Sequence, residues 1–466
     1  MTRWFVILIA MALVAGAVDG AAVDRQDAGP VRQVRVDANA FAHSDRLELA
    51  RNAAVTTVQS EPPSAARDGA VRVYVLDATG VVVGMDDPEK PVRTFTWTAP
   101  RAGVYRLLIT NSTSAPVTVT VRYGERGPLS APASTATGAT VRVWYATNRT
   151  RLLGTMPTFG TDPAAAMSYG YADVGIPRDH RMGEIEAPSI WRLEFSEDPV
   201  KHVTVLSLED EREADFLTQV GKRSNQSAAR QMLVFVHGFN EAFDAAIKRT
   251  AQIAYDLAFD GPAIAFSWPS QGRLTPLDYT KDERNADVSA AALSAFLMRL
   301  RGTSDRVTIH VIAHSMGNRV LTRALETASA GFENGTKLKD LVLMAPDVDA
   351  ALFRQAAGKV AATAERVTLY ASSQDLALKA AHRVSGYTRA GEGGPDVLVV
   401  PGIDTVDASS VETSAFGLGH SYYADNSTIL SDVFGLIRDR RPEDRFGLEK
   451  LTTTVGSYWR FRPAAR

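Results

Sequence analysis

Ser315 lies in a stretch whose residue types and spacing could supply a nucleophile. The preceding residues, 307–312, are mostly β-branched and apolar, which predicts a buried strand. From Met316 onward the apolar residues fall at helical spacing. Between strand and helix, Ala313-His-Ser-Met-Gly317 places the serine at a turn flanked by small residues, as a sharp strand-to-helix turn requires if its Oγ is to stand clear of the sheet. The pattern predicts a nucleophilic serine, with a simple helix cap as the structural alternative.

A serine nucleophile needs backbone donors for the oxyanion that forms when it attacks a carbonyl. His-Gly-Phe-Asn at 237–240 directly follows the apolar segment Gln231–Val236, so a sharp turn at the glycine could aim N–H groups into a cavity. We expect the oxyanion hole to consist of the N–H groups of Phe239 and Met316, with Asn240 close behind. A plain strand-to-loop turn is the alternative.

In the fold that places a serine at a strand-to-helix turn of this kind, the acid follows the serine along the chain and the histidine follows the acid. Asp375 comes after the second apolar strand beyond the serine and is the preferred acid. Asp347 comes after the first and is the alternative. Asp404 and Asp407 follow the predicted last strand and are less suited. Each aspartate could instead be an ordinary solvated loop residue.

The general base is predicted to be His420. Of the eight histidines, His382 and His420 are the two that follow both acid candidates. His382 falls within a predicted helix. His420 lies in the glycine-flanked loop Gly417-Leu-Gly-His-Ser421, after the last predicted strand and before the last helix, where it could reach the serine.

Two aromatic residues, Tyr279 and Trp268, are expected to rim the substrate pocket, although packing would explain each equally well. The sequence contains neither a metal-ligand cluster nor a phosphate-cradling glycine loop, so no metal and no cofactor is expected.

The amino-acid composition is typical of a globular protein. Of its 466 residues 45% are hydrophobic and 22% charged, and the net charge is −2. Nothing in this balance points to nucleic acid as a partner. The chain has no cysteine, which excludes disulfides, thiolate metal sites and cysteine catalysis.

The N-terminus has the layout of a secretory signal peptide. Arg3 gives a positive start, Trp4 to Val18 is an apolar run, and Ala15-Gly-Ala17 supplies small residues. We expect residues 1–22 to be a signal peptide and the protein to be periplasmic or secreted. An uncleaved segment anchoring the chain in the inner membrane is the alternative, and the run is short for a spanning helix.

The residues 23–126 predict a small all-β sandwich whose binding partner the sequence does not identify, and residues 127–139 predict a linker rich in Pro, Gly, Ser, Thr and Ala. The predicted strands of the sandwich are 71–76, 94–97, 104–110 and 117–123.

From 140 to 439 apolar strands alternate with amphipathic helices, which predicts an α/β fold with a doubly wound, mostly parallel sheet. The predicted strands are 140–146, 203–208, 231–236, 263–268, 307–312, 341–344, 366–370 and 396–400. The predicted helices include 210–220, 242–259, 281–300, one from the serine to about 330, and 427–439. The tail, 440–466, is left unassigned.

These residues together resemble the α/β-hydrolase superfamily, and most closely an esterase-like bacterial branch of largely unassigned function. The shared motifs are Tyr145-Ala-Thr-Asn-Arg149, Gly183-Glu-Ile-Glu-Ala-Pro-Ser-Ile-Trp191, F-V-H-G-F-N, F-S-W-P-S, A-H-S-M-G-N, A-P-D-V-D, S-x-x-D-x-A-L and G-H-S-Y. The resemblance runs from Val141 to about Arg438. It implies the fold and a triad of Ser315, Asp375 and His420, and it does not imply a substrate.

The segment from Thr94 to Tyr123 resembles the pre-peptidase C-terminal type of β-sandwich, which implies an accessory domain without chemistry of its own.

The expected activity is hydrolysis of a carboxylic ester, small or lipid-like, through an acyl-enzyme on Ser315, with membrane proximity as a possibility. The same triad could serve a peptidase, a thioesterase, an amidase or an acyltransferase. A non-catalytic envelope binding protein built on a hydrolase fold is the alternative from another class.

Overall fold

The computed structural model describes residues 31–36, 40–44, 47–49, 54–59, 71–77, 82–85, 94–99, 103–111, 117–123, 139–153, 157–177, 180–188, 197–273, 275–303, 307–333, 337–411, 427–445 and 447–462. The predicted signal peptide, nearly all of the predicted linker and the predicted base His420 lie outside these residues.

Strands occupy two regions of the chain, residues 31–123, here called the first half, and residues 139–461, here called the second half. They are β1 (Val31–Val36), β2 (Ala40–His43), β3 (Leu47–Leu49), β4 (Ala54–Gln59), β5 (Val71–Asp77), β6 (Val82–Met85), β7 (Thr94–Thr98), β8 (Gly103–Asn111), β9 (Val117–Tyr123), β10 (Ala139–Leu152), β11 (Thr158–Ile176), β12 (Thr204–Glu211), β13 (Gln231–Val236), β14 (Ala263–Ser267), β15 (Thr308–His314), β16 (Leu338–Met344), β17 (Ala364–Ala371), β18 (Asp404–Asp407), β19 (Leu448–Thr453) and β20 (Gly456–Phe461).

The α-helices of the described residues all lie after residue 212. They are α1 (Glu213–Gln226), α2 (Phe243–Asp256), α3 (Pro276–Arg301), α4 (Gly317–Glu333), α5 (Ala350–Ala362), α6 (Leu376–Ser385) and α7 (Ser427–Ile437). Among the described residues, none of these helices combines the length and the apolar composition needed to cross a membrane.

The second half is built on one eleven-stranded sheet with the order β12-β11-β10-β14-β13-β15-β16-β17-β18-β20-β19. Every pair from β10–β14 through β18–β20 is parallel, and only the pairs toward the two edges are antiparallel. The central strands are buried on both faces, as a parallel sheet covered by crossover helices requires. This confirms the predicted α/β fold with a mostly parallel sheet.

Helices cover the two faces of the sheet in two groups. One face carries α1, α3, α4 and α5, which share a core cluster with residues of β13, β15 and β16. The other face carries α2 and α7. The parallel strands therefore all end at the same edge, here called the carboxyl edge, where the loops after β13, β14, β15, β16 and β17 meet.

The first half consists of two antiparallel sheets, which confirms the predicted all-β region. One has the order β1-β9-β4-β7, and the other has β2-β8-β5-β6 with β3 paired to β8. Their facing residues form a separate core. This β region also packs on the α/β region. The Tyr74 ring meets Phe434 of α7 edge-on at 5.5 Å, and Arg440 Nη2 donates to the Tyr74 hydroxyl at 3.1 Å.

The predicted strand 396–400 is wrong. This run is apolar because Leu398 and Val400 pack into the core, but its backbone pairs with no described strand. Pro401 and Gly402, which has a φ of 81°, turn the chain before the actual strand β18 begins at Asp404.

The sequence analysis did not predict several strands, among them three of the large sheet, β11, β19 and β20. β11 pairs antiparallel with β10 along almost its whole length, although Asp162-Pro-Ala-Ala-Ala166 shows no alternation of apolar and polar residues. β19 and β20 form a hairpin in the tail, and β20 pairs parallel with β18, so the sheet continues past residue 439.

Helix α3 begins five residues before the predicted start at Lys281. Thr275 is its N-cap and accepts a hydrogen bond from the Asp278 N–H at 3.1 Å, and Pro276 occupies the first turn. Both are recognised start signals, so the sequence contained this boundary.

His180 anchors the segment 180–188 to α2 through two carboxylates. Its Nδ1 lies 2.8 Å from Glu186 and its Nε2 lies 3.0 Å from Asp256. Burial by itself lowers the pKa of His180, but Asp256 and Glu186 outweigh it and raise that pKa to about 9.

We expect this pairing to make stability pH-dependent above neutrality. Because the folded-state pKa is raised, the stabilisation is fully present below about pH 6.5 and is lost as the pH rises through about 9. His180→Gln should therefore lack the loss, on the order of 1–3 kcal/mol, that the wild type shows between pH 7 and 10 in denaturant unfolding. His382→Gln, which changes a partly exposed histidine, is the control and should keep the loss. Identical profiles for wild type and His180→Gln would contradict the assignment.

Candidate active site

Ser315 occupies a strained turn between β15 and α4. Its φ is 51°, a left-handed conformation that is costly for a residue with a side chain. The Ser315 N–H donates to the Met344 carbonyl at 2.9 Å. Asn318 Nδ2 lies within 3.0–3.2 Å of the carbonyl oxygens of Ala313, Ser315 and Met344. These contacts hold the serine in a conformation that it would not adopt freely.

Two glycines allow the turn to pack against the loop after β13. A Cβ on Gly317 would lie 2.4 Å from the His237 carbonyl oxygen and 2.6 Å from that of Val236. A Cβ on Gly238 would lie 2.8 Å from His314 Nδ1 and 2.9 Å from Ser315 Cβ. Neither position has room for a side chain, so the Gly238 backbone lies directly against the serine.

The two proposed oxyanion donors are available. Within the described part of the chain, neither the Phe239 N–H nor the Met316 N–H donates to an acceptor. Buried N–H groups are rarely left unpaired unless they serve a ligand or the reaction. The Asn240 N–H, in contrast, faces the buried carboxylate of Asp282, which makes it the less suitable third donor.

His237 is fully buried behind this loop. Burial and the nearby Arg149 cation lower the pKa of His237 to about 3, so its ring is neutral at physiological pH. Its Nδ1 lies 2.9 Å from the Gly238 carbonyl oxygen, and its Nε2 lies 3.0 Å from that of Trp268.

Trp268 lies in the core and does not rim a pocket. Its side chain has no solvent exposure, stacks on the His237 ring at 5.1 Å and donates from Nε1 to the His237 carbonyl at 2.7 Å. The expectation that it contacts substrate is therefore corrected: the packing alternative describes Trp268.

Tyr279 is partly exposed and lies beside the loop after β13, residues 237–240, here called the oxyanion loop after its predicted role. Its ring meets that of Phe239 edge-on at 5.2 Å, and its hydroxyl donates to Asp347 Oδ2 at 2.8 Å. Burial, followed by the Asp347 charge, raises the pKa of Tyr279, so the hydroxyl remains a donor.

The two acid candidates occupy different surroundings. Asp375 is fully buried at the N-terminus of α6, where Oδ1 accepts from the Leu378 N–H at 2.9 Å. Asp347 is nearly as buried, but its carboxylate is shared between Tyr279 and Arg389, whose Nε lies 3.2 Å from Oδ1 without hydrogen-bond alignment. The Asp347 backbone N–H donates to the Ser315 carbonyl at 3.2 Å.

The two less suited aspartates are the first and last residues of β18, and Asp407 therefore lies at the carboxyl edge. Asp404 starts β18 and so lies at the edge opposite the serine, whereas Asp407 accepts from the Ser409 N–H at 2.9 Å. His382, on α6, pairs with Glu392. His420 lies outside the described residues, 13 positions after β18 ends.

A protein-family model matches residues 212–440 of this chain. The model is described as "Alpha/beta hydrolase of unknown function (DUF900)". Residues 212–440 carry the α/β-hydrolase fold, and the sheet to which they belong extends beyond them into β10–β12 and β19–β20. The matched residues include the oxyanion loop, the strained serine and both acid candidates.

A curated relative is an uncharacterised protein, alr1448, of Nostoc sp., which is 27% identical over 154 residues. The match covers 28% of this chain and 38% of the relative, so the chain spans well under half of that protein.

Two solved structures are similar to parts of this chain at a lower sequence identity. The phospholipase PlaB of Legionella pneumophila is 12% identical over 49% of this chain and 67% of its own, with a TM-score of 0.29. The periplasmic lysozyme inhibitor PliG of Aeromonas hydrophila is 12% identical over 21% of this chain and 89% of its own, with a TM-score of 0.16. TM-scores this low do not establish a shared fold.

Sequence reasoning missed three buried charges near the site, namely Arg149, Asp282 and Arg389. Arg149 was visible as the last residue of a shared motif, Tyr145-Ala-Thr-Asn-Arg149, but no spacing linked it to the serine. Asp282 accepts from Ser270 Oγ at 2.6 Å and from the Gln271 N–H at 2.9 Å, and burial raises its pKa to about 6. Among the described residues, no group of histidines and carboxylates is arranged to hold a metal ion.

The contact between Gly238 and the serine predicts a sharp cost for a single methyl group. Gly238→Ala must push the oxyanion loop away from Ser315, so we expect kcat for ester hydrolysis to fall at least about 10²-fold, comparable to the loss of one oxyanion donor. The matched control is Gly358→Ala on α5, where a Cβ meets nothing within 4 Å; it should leave kcat unchanged and stabilise the fold by about 0.5–1 kcal/mol. Normal turnover by a folded Gly238→Ala enzyme would show that the close contact is unimportant.

Proposed function

We propose that this protein is a serine hydrolase that cleaves carboxylic esters through an acyl-enzyme on Ser315. The observation that carries the proposal is a strained, buried serine next to two backbone N–H groups, of Phe239 and Met316, that donate to no described acceptor. A serine with a purely structural role would need neither the strain nor the spare donors.

In the proposed reaction, His420 removes the proton of Ser315 as Oγ attacks the acyl carbonyl. The oxyanion of the tetrahedral intermediate is stabilised by the N–H groups of Phe239 and Met316. The protonated histidine then gives its proton to the leaving alkoxide, and the alcohol departs. Water activated by the same histidine hydrolyses the acyl-enzyme, with Asp375 orienting the imidazole.

The surface around the carboxyl edge favours esters with an apolar acyl chain. Exposed leucines stand at the first turns of three helices that start there, and two more lie at the end of β10 and just after it. These leucines are Leu277, Leu352, Leu376, Leu152 and Leu153. Leu206 is the one other exposed leucine among the described residues, so the exposed leucines, unlike the exposed valines and methionine, are concentrated on the side of the serine.

The alternatives differ in what receives the acyl group or in whether chemistry occurs. A peptidase, thioesterase, amidase or acyltransferase would use the same residues, and a binding protein would use none of them. Export rests on the predicted signal peptide, residues 1–22, and is proposed on that sequence pattern.

Covalent labelling separates an enzyme from a binding protein. A fluorophosphonate should label the wild type at Ser315 and leave Ser315→Ala unlabelled, because the probe needs an activated serine. The labelled protein should also hydrolyse p-nitrophenyl esters, with kcat/KM rising as the acyl chain lengthens beyond acetate. Absence of labelling, or equal labelling of Ser315→Ala, would reject the serine hydrolase, and activity confined to amides or thioesters would replace the ester assignment.

Separate substitution of the two aspartates identifies the acid. Asp375→Asn should lower kcat by about 10²–10⁴-fold, since the acid fixes the imidazole tautomer. Asp347→Asn should mainly lower stability, by a few kcal/mol, because it leaves Arg389 buried without its carboxylate. Kinetics normalised to folded protein distinguish the two effects. A large kcat loss in Asp347→Asn together with near-normal turnover in Asp375→Asn would reverse the assignment.

A further inference from the structure

We propose that Arg149 and His237 are positioning residues that orient the Gly238–Phe239 peptide so that its N–H faces the oxyanion. This inference rests on the proposed serine hydrolysis, since it concerns the same oxyanion hole.

The Arg149 side chain links several loops of the carboxyl edge. It is almost fully buried at the end of β10. Its Nε donates to Ser267 Oγ at 2.9 Å, and its Nη2 donates to the Glu241 carbonyl at 2.8 Å. Its Nη1 donates to two carbonyls, that of Ser270 at 2.9 Å and that of Gly160 at 3.2 Å. One guanidinium therefore ties the oxyanion loop to the loop after β14 and to the β10–β11 hairpin.

Arg149 forms no ion pair with a carboxylate of the described residues, and burial lowers its pKa to about 10. A buried cation whose direct partners are carbonyl oxygens and one hydroxyl is costly to desolvate. A leucine or methionine would avoid that cost but would leave the carbonyls of Gly160, Ser270 and Glu241 unpaired, so the arginine holds these loops in one orientation.

The guanidinium also bears on the His237 tautomer. The neutral His237 ring lies between two carbonyl oxygens, that of Gly238 at 2.9 Å from Nδ1 and that of Trp268 at 3.0 Å from Nε2, and can donate to only one of them. The Trp268 carbonyl already accepts from the Ser270 N–H at 2.8 Å. Arg149 Nη2 lies 3.4 Å from Nε2, so a donor and a positive charge also face that nitrogen. This favours a lone pair on Nε2 and places the ring proton on Nδ1. The Nδ1–H then donates to the Gly238 carbonyl oxygen, 2.9 Å away. In the other tautomer two lone pairs would face each other at that contact.

The direction of one carbonyl fixes the direction of the next N–H. In a planar trans peptide the C=O of Gly238 and the N–H of Phe239 point to opposite sides. When His237 holds the carbonyl, the Phe239 N–H must point away from the His237 ring. Because the Gly238 backbone lies against Ser315, a flipped peptide would put a carbonyl oxygen where the oxyanion needs a donor.

The decisive variants are Arg149→Lys and Arg149→Met. Both variants remove the planar guanidinium whose N–H faces His237 Nε2. Lysine keeps the positive charge but not this geometry. We expect kcat for a p-nitrophenyl ester to fall about 10²–10³-fold in Arg149→Met and less in Arg149→Lys, with KM changed less than about threefold, because the donor acts on the transition state.

The control is Arg366→Met. Arg366 also donates to backbone carbonyls, those of Leu436 and Arg440, but lies at the start of β17, the edge opposite the serine. This variant should lose stability and keep the wild-type kcat per folded molecule. An equal kcat loss in Arg366→Met would mean that any buried arginine has this effect, and would overturn the proposal.

Nitrogen NMR of ¹⁵N-histidine-labelled protein reads the tautomer directly. The wild type should show His237, assigned by comparison with His237→Gln, protonated on Nδ1, and Arg149→Met should shift the ring toward protonation on Nε2. An unchanged tautomer with unchanged kcat would overturn the role of Arg149 even if Ser315 is labelled and esters are hydrolysed. Failure of the wild type to label or to hydrolyse esters would instead reject the proposed function.

Discussion

Helix α4 starts so close to the end of β13 that Gly317 touches the carbonyls of Val236 and His237 through backbone atoms alone. This contact depends on β13 and β15 being neighbours in the sheet, although β14 separates them along the chain. It brings the loop after β13 against the turn that carries Ser315. The N–H groups of Phe239 and Met316, the proposed oxyanion donors, are therefore placed by the sheet itself, and a side chain at Gly317 or Gly238 would separate them.

Behind that contact lies a layer of buried polar groups. Arg149, His237 and Asp282 satisfy the carbonyls and N–H groups of loops that would otherwise be unpaired away from water. Burial shifts each pKa toward the neutral form: it lowers the pKa of Arg149 and of His237 and raises that of Asp282. Such a layer adds little net stability, but it fixes orientation, which is what an oxyanion hole requires.

The parts that the sequence predicted are those with a local pattern. The strand before Ser315, the glycine turn at 237–240 and the alternation of strands and helices are all read from neighbouring residues, and the α/β sheet is confirmed. What escaped prediction depends on distant partners. β11 shows no alternation and pairs with β10, the run 396–400 is apolar without forming a strand, and Trp268 looked like a pocket residue until its burial was known. Arg149 belonged to a visible motif, but its partners come from loops up to 121 positions away.

The most direct test of the account is a crystal structure of the protein after reaction with a phosphonate ester. The account predicts a phosphonyl group on Ser315 Oγ with one phosphonyl oxygen about 2.7–3.1 Å from the backbone nitrogens of both Phe239 and Met316. An adduct on another residue, or a phosphonyl oxygen directed away from both nitrogens, would contradict it.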